Sequence, residues 1–169
     1  MTMKRKTETR DNKKKKTVDI RAIKKSVSSV MRDRGDLFVV ADDTFGTALI
    51  YAYGEFREYN ELREKLFGDR EPLSEAFGYC SHGTIRSIPC TCNLVWVNSK
   101  AKKEEAIPWF IHEMSHLVDF LVEEAHIADR NGEARAYLLE RETKRVLERM
   151  FGMKSASAVT EKQIMEVLK

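Results

Sequence analysis

The chain has 169 residues, of which 42% are hydrophobic and 34% charged, with a net charge of +3; this suits one domain with a single sizeable core. No run of 18 apolar residues occurs, so we expect no membrane-spanning helix, and the basic N-terminus lacks the apolar segment of a secretory signal. Three cysteines are too few for a disulfide scaffold, so a reducing cytoplasm is the expected compartment.

The positive charge is concentrated at the N-terminus. Residues 1–25 carry eleven Lys or Arg and three Asp or Glu, a charge of +8, whereas the rest carries nineteen against twenty-four, a charge of −5. Residues 1–18 form a basic arm with almost no apolar side chains, and we expect it to be disordered. Such an arm is typical of contacts with nucleic acid or an acidic partner. It is equally typical of a solvated tail, because no aromatic residue is interleaved to stack on bases.

The segment after the arm predicts a helix, a hairpin and a second helix. Apolar residues recur at helical spacing between positions 20 and 31. Segments 37–41 and 47–53 are rich in β-branched and aromatic residues, and the turn residues between them predict a hairpin. Residues 55–68 predict an amphipathic helix that ends at a glycine.

The next segment has a weaker pattern. Glycines and a proline break residues 69–89 into loops, with a short strand predicted around 84–88. Residues 92–97 predict another strand, which we expect to border the functional cleft and to bind a peptide by strand addition.

The C-terminal third predicts two long helices. One begins at about Pro108, and a second runs from near Gly132 to about Met150. Residues 153–169 predict a loop and a short helix that Thr160 caps. The order of elements predicts an α+β fold for a domain over residues 19–152, with a small, mostly antiparallel sheet.

The first of these helices carries the sequence H-E-x-x-H, formed by His112, Glu113 and His116. Two histidines four residues apart lie on one helical face and can bind the same zinc ion. Glu113 projects about 100° away from His112, where it can take a proton from a zinc-activated water. The pattern therefore predicts one zinc per chain and peptide-bond hydrolysis. The alternative is a buried helix with two stray histidines, but Glu113 is the only charged residue within 107–118.

A third zinc ligand is expected in the following helix. Glu133 lies in its first turn, and Tyr137, one turn later on the same face, could hydrogen-bond the oxyanion of an intermediate. This requires the first helix to end near Glu124 so that residues 125–131 can double back; otherwise Glu140 would lie closer. Glu133 would alternatively be only a first-turn acid that complements the helix dipole.

Asp119 is the candidate for a supporting role at this site. It lies three residues beyond His116, so it shares a helical face with that residue. Ligating histidines usually donate their second ring N–H to such a carboxylate. We therefore expect Asp119 to hold an imidazole.

The pattern W-x-x-H-E-x-x-H followed by E-A-x-A-Y-L resembles a group of small phage- and prophage-encoded proteins of unknown function. The residues that carry the resemblance are Trp109, His112, Glu113, His116, Glu133, Ala134, Ala136, Tyr137 and Leu138. The chain also resembles gluzincin metallopeptidases, in which a glutamate on the helix after H-E-x-x-H is the third ligand. Gly132 stands where many of those peptidases have Asn.

The resemblance implies a zincin-like fold and a peptide or protein substrate. It would make His112, His116 and Glu133 zinc ligands and Glu113 the general base, in the bacterial host cytoplasm if the protein is phage-encoded. Two other functions stay open on the sequence alone. One is a metal-binding phage accessory protein without catalysis, and the other is a nucleic-acid-associated factor that acts through residues 1–18.

Cysteines and a histidine also cluster near the middle of the chain, as Cys80, His82, Cys90 and Cys92. Each pair is separated by one residue, whereas structural zinc sites usually separate paired ligands by two to four. A disulfide between Cys90 and Cys92 would be strained. Free thiols are therefore expected rather than a second zinc site.

Overall fold

The structure is a computed structural model that describes residues 18–31, 37–42, 44–72, 76–129 and 132–153. The predicted basic arm, apart from Val18, lies outside these ranges. So does the C-terminal helix predicted around Thr160.

The described ranges contain four helices and four strands. In chain order they are α1 (Ile20–Met31), β1 (Leu37–Asp42), β2 (Thr47–Gly54), α2 (Phe56–Leu66), β3 (Gly78–Thr84), β4 (Thr91–Asn98), α3 (Ala106–Glu124) and α4 (Glu133–Met150). This confirms the α+β class, the four predicted helices of the domain and the hairpin of the first two strands. Within the described part of the chain, no helix is both long and apolar enough to cross a bilayer.

The strand predicted around residues 84–88 was misplaced. The strand is β3, which ends at Thr84, and the residues after it form the turn into β4, where the Ile85 amide donates to the Cys90 carbonyl at 3.0 Å. The two glycines that indicated a loop lie inside this strand. At Gly83 a Cβ would lie 3.0 Å from the Phe67 ring, so glycine allows close packing there.

The four strands form one mixed sheet in the order β1-β2-β4-β3. β1 and β2 are antiparallel, as are β3 and β4, whereas the central pair β2 and β4 is parallel. The sheet is therefore mixed. The two central strands can run parallel because the connection between them, which contains α2 and β3, is long enough to return the chain across the sheet. β4 is hydrogen-bonded on both sides, so the prediction that residues 92–97 add a peptide strand is wrong.

Two helical layers cover the sheet, and alternate residues of β4 face them. Leu94 and Trp96 pack in the core beneath α1 and α2, whereas Val95 and Val97 pack in the core beneath α3 and α4. Most positions of β2 and β4 are buried, as expected for central strands covered on both faces. The sheet thus fixes the position of α3, which carries the candidate site.

Candidate metal and catalytic site

Helix α3 is held to the sheet by one apolar face. Phe110, Met114, Leu117 and Leu121 are buried in the core beneath α3 and α4, and their 3–4 residue spacing gives one stripe on a helix. Part of the remaining surface of the helix faces solvent. His112 and His116 lie on this exposed side.

The two histidine rings are neighbours. Their centroids lie 5.1 Å apart, and the ring planes are inclined by 85°. This follows from their spacing of four residues, which stacks side chains one turn apart. Both imidazoles are exposed, so a metal ion could reach them from solvent.

Glu113 points the other way and is only 7% exposed. Its side chain passes beside Gly78, where a Cβ would lie 2.7 Å from Glu113 Cγ and 2.8 Å from Oε1. Only glycine at position 78 allows this approach, since real Cβ contacts essentially never fall below 3.0 Å. The backbone amide of Cys80 donates a hydrogen bond to the Glu113 carboxylate.

The surroundings of Glu113 favour its protonated form. Burial raises the pKa of the Glu113 carboxyl above its ordinary value, although the charges of His112 and His116 and the Cys80 amide act to lower it. A carboxyl with a raised pKa takes up a proton more readily near neutral pH. Glu113 therefore has the character of a general base next to the histidine pair.

Helix α3 packs against both β4 and the edge strand β3. At one end the exposed rings of Phe77 and Trp109 stack at 4.8 Å, and further along His82 stacks on Phe120 at 5.0 Å. These contacts progress in the same direction along the strand and the helix. Glu113 therefore lies between α3 and an outer edge of the sheet.

The chain reverses immediately after α3. The helix ends at Glu124, and the Ile127 amide donates to the Val122 carbonyl at 3.1 Å. The predicted end of the helix near Glu124 is therefore confirmed, while the approach of Glu133 to the histidines stays a prediction. His126 lies in this turn with φ of 51°, outside the helix.

Helix α4 begins at Glu133 and is capped from the loop. Asp129 accepts hydrogen bonds from the Ala134 and Arg135 amides, each at 3.2 Å, which satisfies donors that the first helical turn leaves free. Gly132 has φ of 74°, in the left-handed region that Gly and Asn tolerate best. A glycine at this position therefore allows the backbone to enter α4 without strain.

Arg135 ties the start of α4 to α3. Its Nε donates to Asp119 Oδ1 at 2.8 Å, and its Nη1 donates to Asp129 at 3.0 Å. At the other end of the helix pair, Phe110 contacts Phe151 with ring centroids 5.9 Å apart. The two helices are therefore antiparallel. Asp119 accepts its hydrogen bond from Arg135, not from an imidazole as predicted.

Glu133, Tyr137 and Glu140 lie on the exposed face of α4. Their spacing of four and three residues aligns them on one side of the helix, and Tyr137 is 65% exposed. Among the residues that the structure describes, no three His, Cys, Asp or Glu side chains are grouped so that they could hold a metal ion as they stand. The choice between Glu133 and Glu140 stays a prediction.

The central cysteines are free thiols, as expected. Burial raises the pKa of both Cys80 and Cys92 well above the ordinary thiol value. His82 is held instead by Asn93, with 2.8 Å between Nδ1 and Oδ1. These residues therefore tie β3 to β4 and α3.

Two features of the site were not predicted from the sequence. Gly78 was expected in a loop, and its role as a gap for Glu113 depends on β3 lying against α3. The sequence predicts Arg135 only as part of the second helix. Its bridge to Asp119 and Asp129 depends on how α3 and α4 pack, which no local pattern indicates.

No protein-family model, curated protein or solved structure matches the chain.

Proposed function

We propose that the protein is a zincin-like, zinc-dependent hydrolase of peptide bonds. The observation that carries the proposal is the difference in exposure between the motif residues of α3. His112 and His116 are exposed neighbours, while Glu113 between them is turned into a buried gap beside Gly78.

The donor set fits zinc. Two neutral imidazoles one helical turn apart, with a carboxylate from a following helix, match the ligand types of catalytic zinc sites. In this proposal Glu133 is the third ligand, and its exposed side chain must turn from the outer face of α4 towards the histidines. The hydrogen bond from Arg135 Nε to Asp119 Oδ1, 2.8 Å long, holds the start of α4 beside the end of α3. Because the two helices are antiparallel, Glu140 lies nearer the level of His116 along the helix axis and is the alternative third ligand.

Zinc held by these residues would supply a bound water whose pKa is lowered towards about 7. Glu113 would accept the proton of that water and pass it to the leaving amine, as a general acid–base group does. Tyr137, exposed and one turn from Glu133, donates its hydroxyl proton in a hydrogen bond to the developing oxyanion. The exposed edge of β3 beside Glu113 leaves the site accessible to a chain.

Zinc content of the purified protein tests the metal site. We expect about one zinc per chain by elemental analysis, lost in His112→Ala and retained in Glu113→Gln. The matched control is His126→Asn, which changes another exposed histidine and keeps a residue that tolerates its positive φ. A wild-type protein that takes up no zinc would overturn the proposal.

Hydrolysis of fluorescein-labelled casein tests the chemistry. Glu113→Gln should lower the rate by about 100-fold or more, the usual contribution of a general base, while its zinc content stays unchanged. Glu133→Ala and Glu140→Ala, measured side by side, identify the third ligand by which of them loses zinc. Full zinc binding without hydrolysis by the wild type would instead indicate a non-catalytic metal-binding protein.

A further inference from the structure

Among the described residues, no strand pairs with the outer side of β1, at the edge of the sheet opposite the candidate site. In the strand order of the described residues, β1 is the outermost strand beyond β2. An edge strand presents a row of backbone N–H and C=O groups to solvent. α1 and α4 both contact β1, from opposite layers of the fold, so the edge forms the floor of a groove between two helices.

The floor of this groove is apolar and incompletely covered. Leu37, Phe38 and Val40 are only half-buried, whereas Val39 is buried. They line two adjoining cavities of about 270 and 370 Å³. Adding a strand along β1 would cover this apolar surface and pair the edge backbone.

The walls of the groove are positively charged. Lys24 of α1 lines both cavities, and Arg145 and Arg149 of α4 line the larger one. Arg145 is fixed by Glu142 at 3.0 Å, so it forms a fixed part of the wall. The described residues that line the two cavities include no carboxylate. The groove therefore has three cations around an apolar strand edge. Arg145 is already paired with Glu142, so Lys24 and Arg149 are the two that a partner can pair with.

We propose that this β1 groove is a docking site for an extended acidic segment of a partner protein. The segment adds to the sheet as a strand beside β1, as in other cases of β-augmentation. Its apolar side chains cover the half-buried residues of β1, and its acidic side chains pair with Lys24 and Arg149. The site lies on the opposite edge of the sheet from β3, so it does not depend on the proposed hydrolase function.

Charge excludes the occupants that this chain itself offers. A second copy joined through the same edge would bring its own three cations against these, since a two-fold interface pairs identical surfaces. Residues 1–17 carry eight Lys or Arg against two acidic residues, and residues 154–169 carry three Lys against two Glu. Neither segment has the net negative charge that the walls select.

A nucleic acid would satisfy the cations but not the strand edge. Its phosphates bind basic groups without requiring backbone N–H and C=O pairing. The paired features of the β1 groove, a bare strand edge and apolar side chains between cations, match a polypeptide with alternating side chains.

Fluorescence anisotropy with the full-length protein tests the proposal. The probe is a fluorescein-labelled eight-residue peptide of alternating Val and Glu, and the controls are the Val–Lys peptide and a Val–Glu peptide with alternate backbone amides methylated. We expect saturable binding of the Val–Glu peptide that weakens as salt screens the charges. The Val–Lys and methylated peptides should bind at least about tenfold more weakly, since each lacks one of the two kinds of contact.

Variants of the groove locate the binding. Lys24→Glu combined with Arg149→Glu should weaken binding by at least about tenfold. Lys144→Glu, an exposed cation on another side of α4, and His112→Ala should bind as the wild type does. The proposal is overturned if the Val–Glu peptide fails to bind, if methylation leaves its binding unchanged, if the double variant retains it, or if a short oligothymidylate binds the same groove in its place.

Discussion

The two helical layers differ in what they bury beneath them. Under α1 and α2 the core is dominated by stacked rings, with Tyr59 lying 4.9 Å from Trp96 and 5.1 Å from Tyr79 between centroids. The buried carboxylates of the described residues, Glu113 and Glu142, both lie in the layer of α3 and α4. Because burying a carboxylate is unfavourable without compensation, the second layer carries groups that packing alone does not explain.

The two buried carboxylates are themselves unlike. Glu142 accepts a hydrogen bond from Tyr51 and pairs with Arg141 at 2.8 Å and Arg145 at 3.0 Å. Glu113 instead accepts a hydrogen bond from the Cys80 amide, and only the charges of His112 and His116 act on it from a distance. Breaking a buried, paired charge is strongly destabilising, whereas a weakly compensated one is a candidate functional group. Glu142 is therefore tied into the packing of the fold, and Glu113 is the carboxylate that the proposed function uses.

The largest expected effect comes from matched substitutions of these carboxylates in protein freed of metal by a chelator. Glu142→Gln removes the charge that holds two arginines and should lower the free energy of unfolding by about 3 kcal/mol. Glu113→Gln removes a desolvated charge and should leave the free energy of unfolding unchanged to within about 1 kcal/mol. Urea denaturation measures both. Equal losses in the two variants would contradict the division between an architectural and a functional carboxylate.

Two glycines of β3 give a second test, because they meet different layers. Gly78→Ala places a Cβ against Glu113 and should destabilise the protein by about 1–3 kcal/mol, the usual range for overpacking. Gly83→Ala, which meets the Phe67 ring at 3.0 Å, is the matched control.

A double-mutant cycle separates the two glycines. The loss at Gly78 should largely disappear in a Glu113→Ala background, since neighbouring residues couple, whereas the loss at Gly83 should add independently. Urea denaturation of the wild type, the three single variants and the two double variants with Glu113→Ala measures the free energies of unfolding. If Gly78→Ala costs the same with and without the Glu113 side chain, the close approach in the structure is not what requires glycine there.

Local patterns predicted the elements of the second layer well. The helical periodicity of residues 106–124, the turn that follows and the cap region before Glu133 are all encoded within short segments. The reversal after Glu124 could be stated as a condition from rise per residue alone, and the structure meets it.

Pairings between distant segments could not be predicted in this way. The parallel pairing of β2 with β4 depends on contacts between residues about forty positions apart, such as Ile50 with Leu94, which alternation within a strand does not specify. The same limit concealed the edge position of β3 and hence the role of Gly78. The β-branched residues of 84–88 predicted a strand. In the structure Thr84 ends β3, and the residues after it form the turn of the β3–β4 hairpin.

The smallest expected effect compares one buried tyrosine from each layer in alkaline solution. Burial, and then the charge of Glu142, raises the pKa of Tyr51 well above its ordinary value. Burial also raises the pKa of Tyr59, but the hydroxyl of Ser81 and the charge of Arg63 oppose that shift. Both shifts stabilise the fold below a pH of about 10. This contribution is lost as the pH rises, because the unfolded chain releases these protons first.

Each such tyrosine should therefore contribute up to about 1.4 kcal/mol per pH unit to the fall in the free energy of unfolding above pH 10. Tyr51→Phe should reduce this slope more than Tyr59→Phe does, because the pKa of Tyr51 is raised further. Urea denaturation across the alkaline range measures the slope, which is independent of any constant loss that Tyr51→Phe causes by removing a partner of Glu142. A larger change of slope in Tyr59→Phe would mean that the layer of α1 and α2, rather than the layer that holds the carboxylates, governs the response to alkali.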